Sequence, residues 1–521
     1  MARTPRFVVK VRFLSYLLKP SVHRWVQIQT QVTVISNQLK NQHLLWRSGF
    51  GPMAEDASGL AAGSQKSLFK ALQKASSKTP AYLEVADNRL KGLMMGVDDM
   101  ARMEKKELSE EQKKQINKQS QEDIKNLNLA WINEMVDSDA QLREKMSLFW
   151  HGHFASRNLN IFYQQLLLDS IRKNALGNFG QLLREVSKSA AMLNFLNNNQ
   201  NRKDHPNENF AREVMELFTM GRGNYSEQDI KEAARAFTGW GANLQGEFIF
   251  RKFQHDQGKK TVLGKSGNFD GDDVLAILLE QKQTAGFISR KIYRYFVNER
   301  LDEEKADWLA DRFYQSNYDI AELMEDIFTS NWFYDAQHIG ARIKSPVKLI
   351  TGIRRMLPMK IENEEVQLLL QRVLGQLLFY PPNVAGWPGG TNWIDSSTLM
   401  FRLRIPQFIY QSGEFQMKPK EDDDQAMGMK QKEEFTGSLK ASGKFRPGQM
   451  IRATIDWETY MKKFTGIRTE NLGLSIAQIL MQVPSGISEK TLKKYTDSRS
   501  RESFIMTTTI QLMSSPEYQM C

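Results

Sequence analysis

"EDIKNLNLAWINEMVDSDAQLREKMSLFW", Glu122 to Trp150, is the stretch on which the fold class turns. Its apolar residues recur at spacings of three and four, the period of a helix that buries one face. "SLFKALQKAS", Ser67 to Ser76, carries the same pattern. The spacing predicts further helices at about 158–173, 177–196, 208–220, 227–238, 272–281, 283–297, 303–316, 319–329 and 342–356. "EKKELSEEQKKQINKQSQED", Glu104 to Asp123, is polar nearly throughout and forms a solvated helix face, a flexible arm or a binding element. "GRGN", Gly221 to Asn224, breaks the chain, and Ser226, three residues before Asp229, has the look of an N-cap. Strand signals are few. "GEFIFRKF", Gly246 to Phe253, alternates apolar and polar residues, and "KTVLG", Lys260 to Gly264, is close enough to pair with it as a hairpin.

The expectation is a mainly α chain: one large helical domain with a small β-hairpin and a long polar insertion near the C-terminus. A basic leader occupies 1–40, the helical core 41–415, the insertion 416–450, and a C-terminal helical segment that packs on the core 451–521. The insertion is read from "QMKPKEDDDQAMGMKQKEEFTGSLKASGKFRPGQ", which loses the apolar period. "DIFTSNWFYD" and "QLMSSPEYQM" echo one another, too weakly to make a repeat.

Of 521 residues one is cysteine, Cys521, which excludes a disulfide framework and a thiolate metal cluster. The net charge is +11, but the first 54 residues hold eight Lys or Arg and no acid. The remainder has 63 basic residues against 60 acidic ones. So even a body is a poor match for a nucleic-acid partner, which calls for a broad basic stripe. The leader's apolar runs are cut by Lys10, Arg12 and Lys19. It makes a poor signal peptide and no transmembrane segment. It reads as a transit-like or surface-binding arm, or as a reading frame begun too early, with structured protein starting near "NQHLLWRSGFGP".

Three segments carry candidate chemistry. "LFWHGHFASR", Leu148 to Arg157, places His151 and His153 two apart. On a continuous helix these point about 200° from each other, so both grip one metal only if the helix ends near Trp150, with Gly152 loosening the backbone. Otherwise one faces a site and the other packs. "NENFAREVMELF", Asn207 to Phe218, puts Asn209, Glu213 and Glu216 on one helical stripe, with Arg212 four residues from both Glu208 and Glu216. It is either a helix braced by ion pairs or a carboxylate face that completes a His-containing metal site without cysteine. "FQHDQGKK", Phe253 to Lys260, sets His255 and Asp256 after the strand, as turn caps or as an acid/base pair. A fourth segment, "LLFYPPNVAGWPGGTNWID", offers Trp387 and Trp393 in a Pro- and Gly-rich loop: an aromatic plug, a ligand-stacking surface or a lid over the same pocket. No Walker loop, Rossmann fingerprint, nucleophile elbow or HExxH is present, and "GKSGNFDGDD" lacks the ligand spacing of an EF-hand.

"HPNENFAREVMELFTMGRGNYSEQDIKEAARAFTGW", together with "HLLWRSGFGP", "MSLFWHGHF", "FQHDQGKKTVLG", "IKSPVKL" and "LGQLLFYPPNVAGWPGGTNWID" in that family's order, resembles the bacterial family known as the domain of unknown function 1800. The resemblance covers most of the chain. It implies a mainly α-helical protein, often exported and frequently encoded beside a sulfatase-like partner, and supplies no activity. The chain departs from many members in its basic leader and in Phe218, where a histidine is common. The expectation is a metal-dependent hydrolase using a divalent metal. His151, His153 and Glu213 would be ligands, Glu213, Glu216, His255 and Asp256 the catalytic acid/base set, and Asn207, Glu208, Arg212, Trp387 and Trp393 binding residues. The alternative is a non-catalytic helical scaffold for a partner protein or extracellular polymer.

Overall fold

In the computed structural model the described residues are 35–53, 55–87, 109–243, 245–411, 451–484, 492 and 494–521. The expected insertion at 416–450 and the leader up to residue 34 lie outside them. Residues Asn37–Cys521 form one compact unit. It is mainly α, with three small two-stranded antiparallel sheets among the described residues. No helix among these residues is long and apolar enough to cross a membrane.

The chain opens with α1 (Asn37–Ser48) and α2 (Gln65–Ser76). The 28-residue α3 (Glu110–Asp137) then starts on a capping box between Ser109 and Gln112, with Glu110 and Glu111 in its first turn. Its first ten residues are exposed but for one, and burial begins at Ser120, so the polar stretch and the apolar one belong to a single rod. The periodic run through Trp150 is broken at Ser138–Ala140, and α4 (Gln141–His153) follows, buried along all but one residue. A helix buried on every side must satisfy its charges internally. Glu144, 0% exposed, accepts from Trp131 Nε1 at 3.0 Å and from the guanidinium groups of Arg143 and Arg172, each at 3.0 Å.

Next come α5 (Ile161–Asn174), α6 (Phe179–Lys188), α7 (Ala190–Phe195) and α8 (Glu208–Glu213), which passes directly into a π-helical turn, Val214–Thr219. The expected cap at Ser226 is present, boxed with Asp229, and opens α9 (Glu227–Ala236). The expected hairpin is paired differently. β1 (Trp240–Ala242) takes β2 (Phe248–Phe250), and β3 (Lys260–Val262) takes β4 (Lys265–Gly267). Short turns close each pair, and a local partner costs less chain entropy than the more distant one. The acidic run that failed as a calcium loop is a helix start, with Asp270 and Asp273 boxing α10 (Gly271–Leu279).

Helices α11 (Lys282–Phe296), α12 (Glu303–Gln315) and α13 (Ile320–Phe328) complete the first and largest core. α14 (Pro346–Met356) starts four residues later than the spacing predicts, because Ser345 caps it and Pro346 takes its first position. After it come β5 (Met359–Ile361), α15 (Val366–Val373), α16 (Ser396–Gln411), β6 (Ala453–Ile455), α17 (Trp457–Met461), α18 (Leu472–Leu480) and α19 (Arg501–Met513). β6 pairs with β5, and Arg342 and Cys521 exchange backbone hydrogen bonds of 3.1 and 2.8 Å, so residues 451–521 lie against the rest of the unit. Leu44, Trp46 and Phe50, from one short segment, each enter a different hydrophobic core.

Candidate anion-binding cavity

α4 continues unbroken to His153, so its two histidines diverge as a helix requires. His151 packs among Trp131, Phe379 and Trp387, ring centroids 5.2, 5.0 and 5.3 Å away. Its Nε2 accepts the Phe379 N–H at 3.2 Å, and burial lowers its pKa to about 3. It is a neutral core acceptor.

His153 turns the other way, into a cavity of about 460 Å3. Its Nε2 lies 3.2 Å from Phe218 O, and its Nδ1 lies 2.9 Å from Lys291 Nζ. A carbonyl only accepts, so Nε2 carries the proton and Nδ1 accepts from Lys291; the tautomer follows from the partners. Phe218 O is available because its helix ends at once: the π turn stops at Thr219 and Gly221 adopts φ +79°. The last carbonyls of a helix lack an intrahelical donor, and His153 supplies one. Burial, then Lys291, holds His153 well below the usual histidine value.

Lys145, Lys291, Arg294, Arg342 and Lys348 line the same cavity, with Glu299 as the one carboxylate side chain in its wall. Lys145 is 3% exposed. Its ammonium has no hydrogen bond or ion pair among the described residues, and lies over the rings of Phe50 and Tyr295, 4.9 and 5.1 Å from their centroids. Arg342 Nη1 is buried, with no partner among the described residues. Lys348 Nζ lies 2.9 Å from Cys521 Sγ. Burial lowers Lys145 well below the usual lysine value and brings Lys291 and Lys348 to about 8. Burial pushes the Cys521 thiol up, but Lys348, Arg47 and Lys344 together outweigh it and bring it to about 6.

The aromatic loop also lines the cavity, through Trp387 and Trp393. It is held by close backbone approach: Gly386 has φ +84°, and a β-carbon there would collide with Gly152 O. Gly390, φ +63°, lies beside the Glu299 carboxylate, in a backbone conformation that favours glycine. "HGHF" and "GWPGG" thus meet where Gly386 approaches the backbone of Gly152.

Of the residues expected to act, His153, Trp387 and Trp393 line this cavity. Asn207, Glu208, Arg212, Glu213, Glu216, His255 and Asp256 do not. Asn207 caps α8, accepting from Asn209 N at 3.0 Å. Arg212 pairs with Glu208 at 3.2 Å and with Glu227 at 2.7 Å, not with Glu216 as helical spacing predicts. The π turn shifts the register after Glu213, and Glu216 instead accepts from Tyr225 OH and Arg222 Nε, both at 2.7 Å. The Tyr225 bond and Arg222 lower the Glu216 pKa, whereas burial and then Glu216 raise that of half-buried Glu213. His255 Nδ1 lies 2.9 Å from Thr238 O, and Asp256 holds Arg235 at 2.7 Å, which keeps its carboxyl below the usual range. Among the described residues no group of three or more His, Cys, Asp or Glu is placed to hold a metal ion. The donor set anticipated for a divalent metal does not fit one: His151 and His153 offer no shared point, Glu216 and Asp256 are held by arginines, and Glu213 lies outside the cavity that His153 lines.

The lysines escaped the sequence reading, although they left a signal. Lys348 in "IKSPVKL" and Lys145 in "REKMSLFW" stand on helices buried nearly all round, and buried Lys344 just precedes one of them, where a charge needs a reason. Neither the curated proteins nor the solved structures contain a match to this chain. One family model matches, described as a protein of unknown function (DUF1800), and it runs over residues 43–520, taking in every wall of the cavity except Cys521. The chain belongs to the DUF1800 family.

Proposed function

We propose that this protein binds a compact organic anion, its charged group among Lys145, Arg342 and Lys348 and a ring or other flat face against Trp387 and Trp393. The observation that carries this reading is that five Lys and Arg side chains, against one carboxylate side chain, line a single cavity. Taking a charge out of water without a partner costs several kcal/mol. A lysine can escape by releasing its proton, but a guanidinium cannot; Arg342 has Glu299 and Cys521 as negative neighbours, yet its Nη1 is buried with no hydrogen bond among the described residues. A phosphate, sulfate or carboxylate there would take hydrogen bonds from these cationic side chains, each charge-assisted bond contributing roughly 1.5–3 kcal/mol. The size suits a monosaccharide-scale ligand, and tryptophan faces suit the C–H face of a sugar ring. A sulfatase-like partner, implied by the family resemblance, would handle anionic esters of the same class; that extension rests on the resemblance alone. Hydrolysis through a divalent metal draws no support from the placement of the residues.

Titration with glucose 6-sulfate, followed by calorimetry and tryptophan fluorescence, tests the reading, with glucose as the neutral control. Saturable binding of the sulfate ester, with Lys145→Met weakening it by at least about tenfold (1.4 kcal/mol), is the expected result. If glucose 6-sulfate, inorganic phosphate and acetate all fail to bind at millimolar concentration, the anion reading is wrong.

A further inference from the structure

We propose that Cys521 is a nucleophilic thiolate in the wall of the cavity, open to covalent modification by small electrophiles that carry a carboxylate, phosphate or sulfate group. Its selectivity for anions rests on the function proposed above; its nucleophilicity does not.

The chain's single thiol is 1% exposed, yet the residue belongs to the cavity lining. Lys348 Nζ touches its sulfur at 2.9 Å, and Arg47 and Lys344 add positive charge nearby. Arg47 is itself buried, with Nε and Nη1 lacking partners among the described residues, so the surroundings favour negative charge on sulfur. A second feature points to a ligand at the same place: the ammonium of Lys145, almost fully buried and unpaired, faces the same space. An electrophile with an acidic group would be drawn to Lys145 and Arg342 and so delivered beside the sulfur. In the step itself a sulfur lone pair forms the new S–C bond while the carbon's bond to its leaving group breaks. The leaving group departs with that electron pair, and no oxidant or reductant is needed. Lys348 keeps its proton and loses only its thiolate partner.

Alkylation of the full chain with iodoacetate and iodoacetamide, read by intact mass over a pH series, is decisive because only one cysteine exists. The expected rate rises through a midpoint of about 6, whereas an ordinary thiol reacts with a midpoint near 8.5. Iodoacetate is expected to outpace iodoacetamide, and saturating sulfate to protect. Lys348→Met should slow iodoacetamide at neutral pH by about tenfold or more, as the thiolate fraction falls. Should that variant fail to fold, the pH profile of the parent decides alone. Rapid labelling by iodoacetamide without any sulfate binding overturns the anionic preference and supports the thiolate. Sulfate binding with a thiol that iodoacetamide reaches only above about pH 8.5, or only after unfolding, overturns the thiolate and leaves the anion reading intact.

Discussion

His151 and His153 show how far residue identity goes. Both stand out in a chain with seven histidines, and one of them does face a cavity. Which one follows from the helix continuing past Gly152, and from Phe218 O and Lys291 waiting on one side and Trp131 and Phe379 on the other. Their chemistry differs accordingly. The pKa of His151 falls to about 3 in the fold, against an ordinary histidine value of 6.5. Its neutral form therefore stabilises the fold fully above pH 6.5, and that contribution is lost as pH falls from there toward 3, by up to ~1.4 kcal/mol per pH unit. His151→Gln, which keeps an acceptor for Phe379 N–H, should take up about one proton fewer on unfolding across this acid limb. Denaturant melts at stepped pH measure the slope, and an unchanged slope would mean that His151 is not buried as neutral imidazole.

At the scale of elements, helices were legible and their meetings were not. The cap at Ser226 and the apolar period mark helices well because these are local features, although the period alone put the start of α14 four residues ahead of the one that Ser345 caps. The pairing of β1 with β2 and the π turn after Glu213 depend on what each segment packs against, and the spacing misassigned both. The loop carrying Trp387 is seated by Gly386 against the backbone of Gly152. Gly386→Ala would require a side chain at φ +84° and a collision with Gly152 O, so it should displace the loop and weaken ligand binding together with thermal stability. Gly152→Ala is the informative contrast. Its β-carbon would meet nothing within 4 Å, and alanine in a helix is favoured by about 0.5–1 kcal/mol, so that variant should melt higher. Equal losses from both substitutions would refute this seating of the loop.

The whole molecule is nearly neutral outside its first 54 residues, yet it gathers cations inside. Burial brings Lys291 and Lys348 to about 8 in the fold, from an ordinary lysine value of 10.5, so each is cationic below about 8 and neutral above it. Two consequences follow in opposite directions. Without ligand, the unfolded chain binds more protons between these values, so stability should rise with pH across that window. With sulfate, the ammonium forms are wanted, so affinity should fall by about tenfold or more between roughly pH 6.5 and roughly pH 9.5, with proton uptake on binding near pH 8. Calorimetry in buffers of different ionisation enthalpy reads the uptake. A pH-independent affinity would place the anion elsewhere.

Periodicity and capping along the chain by themselves determined the helical class and most helix positions, because a helix is built from contacts three and four residues apart. They also marked the histidine pair and the tryptophan loop as places to look. Only the folded unit decided that Lys145, Lys291, Arg342, Lys348 and Cys521 line one cavity, that Glu216, His255 and Asp256 are paired away from it, and that Glu213 lies outside it. Such meetings arise where separate hydrophobic cores close on one another, and the spacing of residues within each segment carries no record of that.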